Sequence, residues 1–250
     1  MNGFKAAFLN EIEKMYRKKK VIVVLIISLL VIVLGQLVVI GIRNSFGVNM
    51  ASRNAFPIMV LSVLANTILP LFTALIAIDL FTGEFSHNTM KIALVRPITR
   101  LKLFTAKLTA VAFFVLANLL TVMILSTLVG FVFNPSSITI AGLFQTLLSY
   151  LITLIPIMTL AIVIVFLANI LRSGSAVFFL SIVMFIGLKV LDVAFSRFSS
   201  LFITSGLTWY DFWIADSIPY LKVLRLFLIM LGYGIMFFTA AYYLFDKKDL

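Results

Sequence analysis

Residues Val21–Ile42 read VIVVLIISLLVIVLGQLVVIGI, with no charge and with only Ser28 and Gln36 as sizeable polar interruptions. A bilayer's hydrocarbon core of about 30 Å needs about 20 apolar residues of helix to cross it. This stretch is long enough. It is not expected to be a cleaved secretory signal, because the run is about twice the usual apolar length and no small-x-small site follows it.

The same test applied outward finds further spans. Asn54–Ile78 is the second. No charge then occurs between Lys107 and Arg172, too long for one crossing, and Asn134-Pro135-Ser136-Ser137 is a strong turn signal in its middle. Two spans result, Leu108–Phe133 and Leu143–Ile170. Ala176–Ala194 and Leu226–Phe245 complete six. The expected fold is an all-α polytopic membrane protein, one transmembrane domain over residues 1–250.

Composition agrees. The 250-residue chain is 63% hydrophobic and 12% charged, with a mean hydropathy of +1.19. Soluble domains are about 45–50% apolar and about 25% charged, so a soluble monomer and a disordered chain are both excluded. The net charge of +11 is better read as membrane topology than as a nucleic-acid surface. With the N-terminus inside, fourteen Lys and Arg fall on cytoplasmic segments against five on outer ones. The positive-inside rule then places both termini in the cytoplasm of a multi-pass plasma-membrane protein.

Residues 2–20 read as an interfacial amphipathic helix. Phe4, Phe8, Ile12 and Met15 recur on one face, and Lys5, Glu11, Glu13, Lys14 and Arg17 lie mostly on the other. Such a helix rests in the headgroup plane.

The chemistry is mostly subtractive. There is no Cys, and His87 is the single His, so thiolate and paired-His metal sites are unavailable. The chain has no G-x-x-x-x-G-K-[ST] phosphate loop, no H-E-x-x-H and no G-x-S-x-G elbow. No catalytic, cofactor-binding or metal-ligating residue is expected, and the chain is not expected to be an enzyme. Lys189 and Asp192, three apart near the end of the fifth span, read as a local pair snorkelling to the outer interface, with a coupling-ion site as the lesser alternative. Gln36, Asn66 and Asn118 should face other helices or a cavity rather than lipid.

The stretch Asp79–Lys107 is the most informative. It reads DLFTGEFSHNTMKIALVRPITRLKLFTAK. Thr89–Val95 fits a brief helix ended before Pro97. Thr99 fits an N-cap that restarts a helix into the third span. From the residues alone it is either a docking element for a cytoplasmic partner or a solvated basic loop.

The pattern Asp79, Gly83, Glu84, Thr89, Lys91, Leu94, Pro97, Ile98, Thr99, Arg100 and Lys107 resembles the permease subunits of ABC-2 type exporters. The charged ending after Phe245 is similar too, although Phe85–Asn88 lacks the charge many relatives carry there. The resemblance implies a membrane subunit docked, through the cytoplasmic segment 79–107, on a separate ABC ATPase that holds ATP and Mg. It implies a second permease copy or a sister permease, and outward movement of a hydrophobic or amphipathic substrate such as a toxic peptide, antibiotic or lipid-like molecule. It also implies that the aromatic-rich outer segment 192–222, with Trp209, Tyr210 and Trp213, helps close an outer gate. Read without the resemblance, that segment is an interfacial aromatic belt. Two alternatives stand beside the exporter: a non-transporting scaffold or sensor partnered with an ATPase, and an ion-coupled carrier using Lys189 and Asp192.

Overall fold

The computed structural model describes residues 3–46, 55–83, 99–134, 139–171, 173–215 and 217–247, and every regular element among them is helical. In chain order these are α1 (Gly3–Tyr16), α2 (Lys19–Phe46), α3 (Ala55–Asn66), α4 (Ile68–Phe81), α5 (Arg100–Phe133), α6 (Ile140–Ile170) and α7 (Gly174–Ala194). Two 3-10 helices follow, η1 (Ser196–Leu201) and η2 (Ile203–Phe212), then α8 (Tyr220–Asp246). Five helices (α2, α5, α6, α7 and α8) are long and apolar enough to cross a membrane, and the bent pair α3–α4 makes a sixth crossing if it is one span. The chain is a multi-pass membrane protein.

Thr99 caps α5, its hydroxyl accepting from the Lys102 N–H at 3.4 Å. The helix therefore starts eight residues before Leu108, where the charge-free run begins. Its 34 residues span about 50 Å at 1.5 Å per residue, well beyond a bilayer core. The surplus carries Arg100, Lys102 and Lys107 on a helical stalk.

The second span is not continuous. Pro70 has no N–H to offer the Asn66 carbonyl four residues earlier, and its ring crowds that carbonyl. The helix breaks at Thr67, and the halves meet at 50°. Local side chains repair the loose ends. Asn66 Nδ2 donates to the Ser62 carbonyl at 3.0 Å, and Thr67 Oγ1 donates to the Val63 carbonyl at 2.6 Å.

Lipid tails are as apolar as Leu, so close packing and hydrogen bonds hold spans together. The spans' amides behave accordingly. Gln36 on α2 and Asn134 after α5 exchange bonds of 3.3 and 3.4 Å. Asn118 on α5 donates to Ser28 on α2 at 3.3 Å. At the heart of the bundle, fully buried Tyr150 on α6 donates to the Pro57 carbonyl on α3 at 2.8 Å and meets Ser126 on α5 at 3.2 Å. The lipid-facing side of α2 carries Ile22, Ile26, Leu30, Leu34 and Leu37, all exposed.

Candidate functional site

Two charge clusters and one aromatic cluster gather at the end of the bundle where α1, α4 and α8 meet the start of α5. This is the basic end of the molecule, and it holds both described ends of segment 79–107.

The first cluster is centred on Lys107. Its ammonium donates to Glu11 Oε2 at 3.2 Å and to the Leu80 carbonyl at 2.7 Å. Lys107 is 0% exposed and Glu11 1%. Lys14 adds a 2.9 Å bond to the other Glu11 oxygen. One ammonium thus joins α1, the end of α4 and the stalk of α5. A carboxylate and a carbonyl at a helix C-terminus, both accepting from the ammonium, make burial of the charge tolerable.

The second cluster is centred on Asp79, the last acid of α4. Lys20 donates to Oδ1 at 2.8 Å, and Lys18 Nζ stands 3.4 Å from Oδ2, close enough for an ion pair although no hydrogen bond forms there. These lysines lie where α1 gives way to α2, so α4 is tied to the first span as well as to the N-terminal helix.

Phe104 sits between the stalk and α8. Its ring meets Phe81, Phe238, Tyr242 and Phe245 with centroids 5.3–5.7 Å apart, mostly edge to face. Arg100 donates to the Asp246 carbonyl at the end of α8, where a cation also complements the helix dipole.

The structure thus brings together Asp79, Lys107 and, through α8, Arg100. Thr99 is a helix cap. Around Gly83 no described atom lies within 4 Å of where a Cβ would stand, so packing does not require a glycine there. Glu84, Thr89, Lys91 and Pro97, with Leu94 and Ile98, lie outside the described residues, as does the brief helix expected over 89–95. Lys107 is wholly buried, and there it holds α1, α4 and α5 together. Glu11 differs from expectation. It lies on the packed face of α1 with Ala7 and Met15, not on a solvated one, because Lys107 supplies its counter-charge. Phe8 packs edge to face on Phe113 of α5 at 6.2 Å.

The other end of the bundle holds the aromatic segment. Trp209 and Tyr210 are 3% and 1% exposed, so they do not form a belt at the rim. η2 runs between α6, α7 and α8. A Cβ on Gly206 would stand 3.0 Å from Met230 Sδ and 3.5 Å from Pro156 Cβ. Pro156 lies midway along α6, so η2 enters the bundle to about its middle. Trp209 stacks on Phe227 at 6.1 Å and meets the half-buried Trp213 edge to face at 5.6 Å. Both indole N–H groups and the Thr204 hydroxyl are buried without a described partner. Tyr233 on α8 donates to the Leu201 carbonyl at 3.0 Å, bracing the descent of η1.

Lys189 corrects another expectation. It feels the charge of Asp192 but makes no direct ion pair with it. It reaches inward and donates to Asn66 Oδ1 at 2.6 Å, at the break of the second span. Helical side chains lean toward the helix N-terminus, which for α7 is the direction of the basic end.

A bundle of membrane-length apolar helices with one broken span, a buried aromatic 3-10 element and two charge clusters at the described ends of segment 79–107 is that of a polytopic membrane protein. The family model for "ABC-2 family transporter protein" matches residues 7–190, and the chain belongs to that family. No curated protein sequence matches the chain.

Proposed function

We propose that this chain is the membrane-spanning permease subunit of an ATP-driven exporter, moving a hydrophobic or amphipathic substrate out of the cell. The supporting observation is the arrangement around segment 79–107. One end is fixed by Lys107, the Leu80 carbonyl and Glu11, the other by Arg100 and the Phe104 cluster. A force applied to the segment by a docked protein is thereby delivered to α1, α2, α5 and α8 together, instead of being lost in a slack loop. The ATPase is a separate cytoplasmic subunit holding ATP and Mg, and a second copy or sister chain completes the pathway. The basic end faces the cytoplasm, with α1 along the inner membrane surface. η2 with Trp209, Tyr210 and Trp213 closes the outer end.

The test is reconstitution with the cognate ATPase in vesicles. Glu84→Ala and Arg100→Ala should insert normally, yet substrate should no longer stimulate ATP hydrolysis and transport should fail. Cargo movement with no ATPase subunit present overturns the reading. Regulated hydrolysis without cargo movement identifies a scaffold or sensor instead. Gradient-driven uptake abolished by Asp192→Asn identifies a carrier.

A further inference from the structure

The Lys189 ammonium lies inside a membrane span. Asn66 is the twelfth residue of α3, about 17 Å along that helix at 1.5 Å per residue and so near the middle of a core of about 30 Å. Lys189 reaches it from a position five residues before the end of α7. An ionisable group at such depth normally has a charged partner or lines a pathway. Here the described partner is a neutral amide oxygen, which uses one of three ammonium hydrogens.

The nearest opposite charge on the same helix is Asp192, one turn nearer the other end. Among the described residues no ion pair joins the two, and Asp192 has no hydrogen bond. Both are half-buried. Lys189 and Asp192 continue the helical stripe of Val177, Ser181 and Phe185, the buried residues of α7. Helix α7 packs against α4, η2, η1 and α6, and Lys189 itself reaches α3. Two opposite charges therefore stand in order along one membrane helix, the positive one deeper, attracting one another across a gap that no direct ion pair closes. Beside them run Ile186 and Phe179, exposed and apolar, three and ten positions toward the basic end.

We infer that Lys189, Asn66 and Asp192 form a head-group site for a zwitterionic amphipath. The molecule carries a phosphate or similar oxyanion next to its tail and an ammonium beyond it. The oxyanion takes the two free hydrogens of Lys189, the ammonium meets the Asp192 carboxylate, and the tail lies along Ile186 and Phe179. The break at Pro70 matters because it turns Asn66 and the frayed end of α3 toward Lys189, holding the ammonium away from Asp192. As a cargo site this rests on the exporter reading above.

The order of the charges provides the test. Full-length permease in micelles of an uncharged maltoside detergent is titrated with dodecylphosphocholine, whose phosphate is next to the tail. A parallel titration uses a dodecyl sulfobetaine, whose charges are reversed. Trp209 and Trp213, the two tryptophans of the chain, lie on or beside η2 against α7 and report binding by fluorescence. Dodecylphosphocholine should bind about tenfold more tightly, the scale set by a close charge pair shielded from water. Lys189→Gln and Asp192→Asn should each remove the preference, and Lys189→Arg should keep it, which separates loss of the charge from loss of the fold. Equal binding of the two probes by the native chain overturns the inference, as does a preference that survives both neutral variants.

Mass spectrometry of lipid co-purifying with the native chain but not with Lys189→Gln separates the sources. A retained phospholipid marks a bilayer lipid as the occupant, and its absence with the preference intact marks a separate amphipathic molecule. The titration needs no ATP and no ATPase. A preference without ATP-driven transport therefore leaves the site standing while the exporter reading falls, and the converse result does the opposite.

Discussion

Lys107 and Glu11 are separated by 96 residues and meet at 3.2 Å with almost no exposure. Removing one member of such a pair strands the other in the interior, which typically costs about 3–5 kcal/mol, whereas replacing both by apolar groups is often neutral. Lys107→Met should therefore lower the thermal midpoint of the purified protein markedly, and Glu11→Met together with Lys107→Met should recover most of the loss. Recovery will be incomplete, because the Leu80 carbonyl also loses its donor. Fluorescence-detected gel filtration after heating measures both. A double variant as unstable as the single would mean that the carboxylate is not what Lys107 serves. The Asp79 pairs contrast with this. Lys18 and Lys20 are 39% and 49% exposed at the side chain, so each is worth at most about 1 kcal/mol. Lys20→Ala should leave the midpoint nearly unchanged.

At the scale of elements, the break between α3 and α4 follows from one missing N–H. Pro70→Ala restores the donor to the Asn66 carbonyl and removes the ring that crowds it. The 50° bend should relax toward a straight helix. Spin labels on α3 and α4 should move apart, and transport should fall although stability does not. An unchanged label distance would mean that packing against α6 imposes the bend, with Pro70 merely tolerating it.

The sequence makes part of this element legible. Pro70 and Asn66 stand out in an apolar run, and Thr99 before Arg100 announces the start of α5. The depth of η2 is not legible. Nothing about Gly206 or Trp209 says that the segment enters the bundle, because that depends on Pro156 and Met230, about 50 and 24 positions away. Tyr and Trp favour an interface when only composition is considered, which is why the rim reading arises. The direction of Lys189 is hidden in the same way. A partner three residues away on the same helix is visible in a sequence, whereas Asn66, 123 positions distant, is not. Glu11 could have been suspected, since it lies four residues from both Ala7 and Met15 on α1, a spacing that puts all three on one face.

One end of the molecule is strongly basic and the other, which holds both tryptophans, is much less so, and this asymmetry carries its predicted orientation. Lys5, Lys14, Arg17, Lys18, Lys19 and Lys20 precede the first span, and Lys247 and Lys248 follow the last. Cytoplasmic loops accumulate such residues because moving them across the membrane is unfavourable. The apolar run of α2 begins directly after Lys20, so a reversed insertion would carry six cations through the bilayer. The chain contains no Cys, which makes single introduced cysteines unambiguous reporters. Lys19→Cys and Lys222→Cys mark opposite ends of spanning helices at positions where the side chain is exposed. In intact cells a membrane-impermeant maleimide should label Lys222→Cys and leave Lys19→Cys untouched, and lysis should make both reactive. The reverse pattern would put the Asp79–Lys107 segment outside the cell, beyond the reach of any cytoplasmic ATPase, and the exporter mechanism would fail with it.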